Sequence, residues 1–287
     1  MAKKIGKVFL VANRRRPESL PILQEIEDYF RGKSIALVRC FSERPSTPAG
    51  VADSDVAISV GGDGTLLLCA RAVAGREIPI LAVNTGTFGF ITEISSGEWR
   101  QAYERFVEGS VGISRRIMLQ VEVRRNAKVV QNVPGLNDAV VASFGVSRLI
   151  GLRLHLSGSY VGRYRADGVI VATPTGSTAY SMGAGGPILH PEMEAFILNP
   201  ICPFTLSNRP LVVPADETVE MEVEAAQRSK VALTVDGSRP IALEAGDRVV
   251  YRMLPTKSLI IRSDKRNFYE VLRSKLNWSG EPNPQIP

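Results

Sequence analysis

Residues 55–74 read DVAISVGGDGTLLLCARAVA, and this stretch indicates the architecture most clearly. The apolar run over residues 55–60 predicts a buried strand, and the Leu- and Ala-rich run over residues 65–74 predicts a helix. A glycine turn, GGDGT at residues 61–65, joins the two. A strand, a tight turn and a helix in this order are the repeating unit of a parallel sheet covered by helices.

The same alternation extends to both sides of this stretch. Ile22, Ile26 and Phe30 recur at a spacing of four, which places them on one face of a helix. We expect strands over residues 5–12, 34–40, 55–60 and 79–83, and helices over residues 19–32, 65–74 and 97–107. This order predicts an N-terminal, Rossmann-like parallel α/β domain.

The pattern changes near residue 114 to short alternating strands separated by turns. We expect strands over residues 118–124, 129–132, 138–143, 150–156, 161–165, 169–172, 211–213, 219–224, 230–235, 248–254 and 259–262. Turns such as Asp236-Gly237 separate them. The pattern predicts a β-rich, β-sandwich-like domain of roughly 150 residues, the usual size of one domain. A final helix is expected over residues 268–276.

Composition limits the class of protein. The chain has 287 residues, of which 44% are hydrophobic and 22% charged, and these are ordinary values for a globular protein rather than a disordered one. The net charge is only +6, which fits either a solvated surface or a site for an anionic ligand. We expect no nucleic-acid partner, because aromatic residues are only 7% and no long basic block is present.

The cysteines and histidines argue against a protein-bound metal. Cys40, Cys69 and Cys202 lie far apart and none is in a CxxC pair, which argues against a disulfide framework or zinc site and indicates a reducing compartment. His155 and His190 are the only histidines. No run approaches the roughly 18 apolar residues of a membrane span. We therefore expect a cytoplasmic protein without a membrane partner.

The glycine turn at residues 61–65 is the first candidate site. Turns at the carboxyl edge of a parallel sheet are where ligands bind, and the free N–H groups of a helix start favour phosphate. The loop is neither GxGxxG nor a Walker A sequence. Asp63 is unusual beside a phosphate, so it is a candidate general base or metal partner. The alternative is that Asp63 only caps the following helix.

Two further candidate sites lie in the β-rich region. Residues 167–181 read DGVIVATPTGSTAYS, a strand that enters a loop dense in hydroxyls, which suits a polar ligand, and Tyr180 could stack on a base. The alternative is a tight turn required by the fold. Asn137 and Asp138 precede a strand, and since neighbouring strand residues face opposite sides, only one should face a site unless the backbone bends.

At these places together the sequence resembles the NAD kinase family, whose members phosphorylate the adenosine 2′-hydroxyl of NAD. The matching stretches are GGDGT at 61–65, NTGTFGFIT at 84–92, LNDAVV at 136–141, YRADGVIVATPTGSTAYSMGAGGPILHP at 164–191 and NRPLVVP at 208–214. The glycine turn alone is shared with lipid kinases of the diacylglycerol and sphingosine type, which are the alternative function. The long block at 164–191 separates the two families.

The resemblance implies domain boundaries, substrates and assembly. It implies an α/β domain of residues 1–113, on which residues 264–287 pack back, and a β-rich NAD-binding domain of residues 114–263, with the active site in the cleft between them. It implies ATP and NAD as substrates, with a divalent cation such as Mg²⁺ carried by ATP. It also implies a homodimer or homotetramer.

The resemblance further implies roles for individual residues. Asp63 would be the proton acceptor, and its presence argues against a non-catalytic nucleotide sensor. The expected contacts to NAD or ATP are Gly61, Gly62, Gly64, Thr65, Phe90, Asn137, Asp138, Arg148, Arg165, Asp167, Thr178, Ala179, Tyr180, Ser181, Met182 and Gly183. Four positions depart from the common family pattern. Asp138 stands where many relatives have Glu, Leu68 where many have a basic residue, Gly183 for Ser and Ser238 for Gln.

Overall fold

The chain divides into two units, one formed by residues 1–115 and 258–287 and the other by residues 116–257. The structure is a computed structural model, and it describes residues 3–43, 48–86, 89–144, 149–205, 208–225 and 229–278. The strands, in chain order, are β1 (Lys7–Ala12), β2 (Ala36–Phe41), β3 (Val56–Gly61), β4 (Pro79–Asn84), β5 (Ile94–Ser95), β6 (Ile113–Arg116), β7 (Leu119–Arg125), β8 (Lys128–Gly135), β9 (Asp138–Phe144), β10 (Ile150–Leu156), β11 (Ser159–Ala166), β12 (Gly168–Ala172), β13 (Ala195–Ile201), β14 (Leu211–Pro214), β15 (Val219–Val223), β16 (Lys230–Val235), β17 (Ile241–Leu243), β18 (Arg248–Met253) and β19 (Ser258–Ile261). The helices are α1 (Ser19–Gly32), α2 (Asp63–Ala72), α3 (Trp99–Glu108), α4 (Tyr180–Gly183) and α5 (Phe268–Leu276).

A seven-stranded sheet forms the centre of the first unit. Its order is β2-β1-β3-β4-β19-β6, with β5 also paired to β4. The pairs β2–β1, β1–β3, β3–β4 and β4–β19 are parallel. Every residue of β3 and β4 is buried, as expected for central strands that helices cover on both faces. The predicted Rossmann-like α/β fold is confirmed.

The helices of this unit follow from local sequence. In α1, Leu23, Ile26 and Phe30 form the buried stripe. In α5, Asn267 and Glu270 form a reciprocal capping box that satisfies N–H groups at the helix start. Val271 and Leu272 are the buried residues of α5, which is the C-terminal helix expected in this unit.

Two six-stranded sheets form the second unit. Their orders are β11-β10-β15-β18-β7-β8 and β14-β13-β12-β9-β16-β17, and the paired strands are antiparallel. One core joins them: Val121 and Leu152 of the first sheet share a cluster with Val141 and Val171 of the second. Alternate residues of β15 are buried, the pattern of a strand with one face on a core. The predicted β-sandwich-like region is confirmed.

The position of β19 differs from the sequence-based assignment. Residues 259–262 were expected to continue the β-rich region, but β19 pairs with β4 in the first sheet. All four of its residues are buried, which suits a parallel strand covered on both faces rather than a sandwich strand. The strands β5, β6, β13 and β17 are not predicted by the sequence pattern. No helix among the residues that the structure describes is long and apolar enough to cross a membrane.

Candidate functional site

The glycine turn lies at the carboxyl end of β3 and at the start of α2. Gly61 allows the turn to close, because a Cβ atom there would overlap the hydroxyl of Thr65. The N–H of Thr65 donates to the carbonyl of Gly62 at 2.9 Å, which begins α2. Gly62 has an extended backbone, and Gly64 is exposed. Three of the five residues of the turn are glycines, so the turn exposes backbone at the sheet edge and its own side chains cover little of it.

The Asp63 carboxylate is turned toward residues 90–92. Its Oδ2 accepts the N–H of Phe90 at 2.9 Å, and its Oδ1 accepts the N–H and the hydroxyl of Thr92 at 3.1 and 2.9 Å. No side-chain hydrogen bond caps the start of α2, so Asp63 is not the capping residue of this helix. A carboxylate has about four acceptor sites. Among the residues that the structure describes, these three bonds leave one acceptor site, on Oδ2, without a partner.

The side chain of Asn84 holds Thr92 in place. The side-chain amide of Asn84 donates to Thr92 Oγ1 at 3.0 Å, and its carbonyl accepts the N–H of Gly86 at 2.8 Å. Thr92 is completely buried. No individual role for Asn84 or Thr92 is predicted from the sequence. The available signal was the motif NTGTFGFIT, which begins at one of these residues and ends at the other.

Asp236 organises the turn before β9. Its carboxylate accepts the backbone N–H groups of Leu136, Asn137 and Asp138 at 2.8, 2.8 and 3.2 Å. Its own N–H donates to the carbonyl of Asp138 at 2.9 Å. The backbone bends at residues 136–137, so strand alternation does not force Asn137 and Asp138 to opposite sides. From the sequence, Asp236-Gly237 is a predicted turn and also fits the family pattern, but no role at this site is predicted for Asp236.

Asn137 and Asp138 are buried polar side chains. Only 8% of Asn137 is exposed, and its Oδ1 has no hydrogen-bond partner within the described parts of the chain. Burial raises the pKa of Asp138 to about 7, and the negative charge of Asp236 adds to this effect. Buried polar groups are normally paired, so Asn137 Oδ1 is a candidate acceptor for a hydroxyl.

The hydroxyl-rich loop packs on this turn. Thr173 donates its N–H to the carbonyl of Asn137 at 2.8 Å and its hydroxyl to the carbonyl of Leu136 at 2.6 Å. Gly176 lies against the backbone of Asn137, where a Cβ atom would overlap it. Segments 136–138 and 173–178, far apart in sequence, therefore pack together as one buried polar cluster.

Several hydroxyls of this loop serve the loop itself. The Ser177 hydroxyl donates to the carbonyl of Pro174 at 2.6 Å and accepts the N–H of Leu189 at 3.0 Å. Ser181 is buried, and its carbonyl accepts from Asn199 at 2.8 Å. The expected ligand contacts Thr178, Ala179, Tyr180, Ser181, Met182 and Gly183 form one continuous segment. Within it, Tyr180 is 51% exposed, so its ring is accessible.

Arg165 and Asp167 lie elsewhere on the second unit. Asp138 pairs with Ala172 at one end of β12, whereas Asp167 precedes the other end. Asp167 is five residues from Ala172, which corresponds to about 17 Å along an extended strand. The Arg165 guanidinium lies 5.1 Å from the ring centre of Phe204. The structure therefore does not place Arg165 and Asp167 beside Asn137 and Asp138. Arg148 lies outside the described residues.

Two family models match this chain. The ATP-NAD kinase N-terminal domain matches residues 41–111, and the ATP-NAD kinase C-terminal domain matches residues 136–263. The α/β unit with its glycine turn and the β-sandwich with its buried polar cluster thus correspond to the two domains of an ATP-dependent kinase.

Similar proteins narrow this class. NAD kinase of Treponema denticola is 40% identical over 281 residues, which cover 98% of this chain and 99% of the relative. NAD kinase of Citrifermentans bemidjiense is 38% identical over 283 residues, 95% of this chain and 98% of the relative. The chain belongs to the NAD kinase family. The lipid kinase alternative is not favoured.

Solved structures agree with the fold. A yeast NADH kinase in complex with NADH superposes with a TM-score of 0.86 at 21% identity, covering 98% of this chain and 90% of that one. An NAD kinase from Archaeoglobus fulgidus in complex with ATP has a TM-score of 0.73 at 26% identity, covering 92% and 98%.

Proposed function

We propose that this chain transfers the γ-phosphoryl group of ATP to the 2′-hydroxyl of the adenosine ribose of NAD, giving NADP and ADP. Family membership supports the overall reaction. The observation that carries the chemistry is the Asp63 carboxylate, held by Phe90 and Thr92 with one acceptor site left on Oδ2.

Asp63 acts as the general base. The ribose hydroxyl is a weak nucleophile, and Oδ2 takes its proton as the oxygen forms a bond to the γ-phosphorus. The bond from that phosphorus to the bridging oxygen of ADP breaks, and the proton leaves Asp63 for water. Such base catalysis contributes typically about 10²–10⁴ in rate. Positioning by fixed hydrogen bonds lets the carboxylate act without reorganising.

The phosphate chain of ATP binds at the glycine turn, where Gly61, Gly62, Gly64 and Thr65 expose backbone. A divalent cation carried by ATP offsets the negative charge of the phosphates when it is bound. Among the described residues, no group of three His, Cys, Asp or Glu side chains is placed to hold a metal ion. Three acceptor sites of Asp63 are already used, which also favours a cation held mainly by phosphate and water.

NAD binds at the polar cluster of the second unit, formed by residues 136–138 and 173–178. Asn137 Oδ1 and the Asp138 carboxylate accept ribose hydroxyls, and the exposed ring of Tyr180 stacks on a base. Phe90 and the segment from Thr178 to Gly183 contribute further contacts. Arg165 and Asp167 contact a part of the ligand distant from Asp138, because they lie at the opposite end of β12.

We also propose that the protein is a cytoplasmic homodimer or homotetramer. The family resemblance supports the assembly. Among the described residues, Cys40, Cys69 and Cys202 form no disulfide, which supports a reducing compartment.

The direct test supplies purified protein with ATP, Mg²⁺ and NAD and measures NADP with an NADP-specific dehydrogenase. We expect NADP to form in proportion to enzyme, and diacylglycerol or sphingosine offered instead of NAD to remain unphosphorylated. Binding of NAD without any turnover would instead identify a nucleotide sensor and overturn the proposal.

A further inference from the structure

The loop between β1 and α1, residues 13–18, joins the glycine turn at the sheet edge. The N–H of Asn13 donates to the carbonyl of Val60 at 3.1 Å, next to the end of β3. The hydroxyls of Ser19 and Thr85 form a buried hydrogen bond at 2.8 Å, which ties the end of this loop to the end of β4. The N–H of Thr85 donates to the carbonyl of Gly61 at 3.1 Å. Three loops are therefore fastened together at one edge.

Arg16 extends over two of these loops. Its Nη1 atom lies 3.4 Å from the position of a Cβ atom on Gly62 and 3.3 Å from that of a Cβ atom on Gly86. The guanidinium therefore covers the backbone of the glycine turn and of the turn after β4. A side chain at residue 62 or 86 would crowd it, so the two glycines leave the space that Arg16 occupies.

The charge of Arg16 is not neutralised by the parts of the chain that the structure describes. Arg16 is exposed and has no ion pair or side-chain hydrogen bond there. Neighbouring arginines are differently engaged: the Arg14 guanidinium lies 3.8 Å from the ring centre of Phe41, and Arg39 pairs with Glu27 at 2.6 Å.

The glycine turn has no cation of its own. The first basic residue after Gly61 is Arg71, in the last turn of α2. A helix start with only backbone donors offers partial positive charge, whereas a triphosphate carries several full negative charges. The Arg16 guanidinium is the full positive charge placed over this turn.

We propose that Arg16 binds the phosphate chain of the donor nucleotide, ATP, over the glycine turn. This assignment rests on the proposed function, since that function brings ATP to this turn. The planar guanidinium offers a fork of N–H donors that matches phosphate oxygens. We assign this phosphate to ATP rather than to NAD. The transferred phosphoryl group must lie beside Asp63, and Gly62, which Arg16 approaches, directly precedes Asp63.

The experiment compares the parent protein with Arg16→Gln, Arg16→Lys and the control Arg15→Gln. Arg15 lies in the same exposed loop, with its N–H bonded to Asn13 Oδ1. We measure KM for ATP and for NAD, kcat, the melting temperature, and the Kd for ATP by calorimetry without NAD. Arg16→Gln should raise KM and Kd for ATP by about 10–100-fold, the usual effect of losing hydrogen bonds to a charged group.

The remaining measurements distinguish a loss of ATP binding from a loss of folded structure. KM for NAD and the melting temperature should stay near the parent values, Arg16→Lys should recover part of the ATP affinity, and Arg15→Gln should match the parent. A Kd for ATP within threefold of the parent in Arg16→Gln would overturn the assignment. So would a rise in KM for NAD alone, or an equal effect of Arg15→Gln. If the parent forms no NADP, the proposed function fails, whereas calorimetry with ATP still decides the role of Arg16.

Discussion

Gly89 lies so close to the Asp63 carboxylate that a Cβ atom at residue 89 would overlap both carboxylate oxygens. The next residue, Phe90, supplies the N–H that binds Asp63 Oδ2 at 2.9 Å. The position of the proposed base therefore depends on a residue 26 places further along the chain that has no side chain.

Replacing Gly89 by alanine should displace Asp63 and lower kcat by at least about 10²-fold, the lower end of what a general base contributes. The matched control is Gly97→Ala, because a Cβ atom on Gly97 meets no other atom within 4 Å. Steady-state kinetics and melting curves on both variants provide the test. A Gly89→Ala enzyme with kcat within tenfold of the parent would contradict this dependence.

Asp63→Asn should keep the fold and lose at least about 10²-fold in kcat, since an amide cannot take the proton from the ribose hydroxyl. The asparagine side chain is similar in size to aspartate. We therefore expect only a small change in melting temperature together with the large fall in kcat. Rate assays at saturating ATP and NAD measure the effect. Turnover within tenfold of the parent would exclude Asp63 as the base.

Asp138→Ala should raise KM for NAD by roughly 10–100-fold with a smaller change in kcat, because the hydrogen bonds between the Asp138 carboxyl and the ribose hydroxyls are lost. Arg153→Ala is a suitable control, since this exposed residue of β10 pairs with Glu224 away from the proposed site. If Asp138 only supports the turn before β9, the variant would melt at a lower temperature while KM for NAD stayed unchanged.

The raised pKa of Asp138 also predicts a pH effect on stability. Its pKa is about 7 in the folded protein and about 4 when the chain is unfolded, so the fold favours the neutral carboxyl. The contribution to the free energy of unfolding is fully present below pH about 4 and is lost as pH rises through about 7.

The variant Asp138→Asn stays neutral at every pH and therefore tests the direction of this pH effect on stability. The melting temperature of the variant minus that of the parent should increase between pH 5 and pH 8 as the parent carboxyl ionises. A difference that stays constant over this range would show that Asp138 does not titrate with a raised pKa.

Removal of divalent cations should stop NADP formation without unfolding the protein, because the cation is proposed to be carried by ATP. Activity should return on addition of Mg²⁺. Melting curves with and without a chelator provide the check, and a large fall in melting temperature on chelation would reveal a structural metal.

Local patterns in the amino-acid sequence were sufficient to predict the helices and strands next to the glycine turn. The apolar spacing of residues 19–32 predicted α1 at its observed bounds, and the glycine turn was correctly placed between a buried strand and a helix. These features depend on helix periodicity and on turn chemistry, which neighbouring residues determine. The motifs also led to the correct family.

Only the tertiary structure decided which distant residues meet. The apolar sequence of β19 would suit a strand of either unit. Its parallel pairing with β4 depends on which strands lie beside it in the folded chain. Asp236 binds the N–H of Asn137 across 99 residues, and Thr92 binds Asp63 across 29. The Arg16 guanidinium lies beside Gly62 and Gly86, which belong to two later loops of the chain. Periodicity describes one segment at a time, whereas these contacts arise from the packing of segments far apart in the chain.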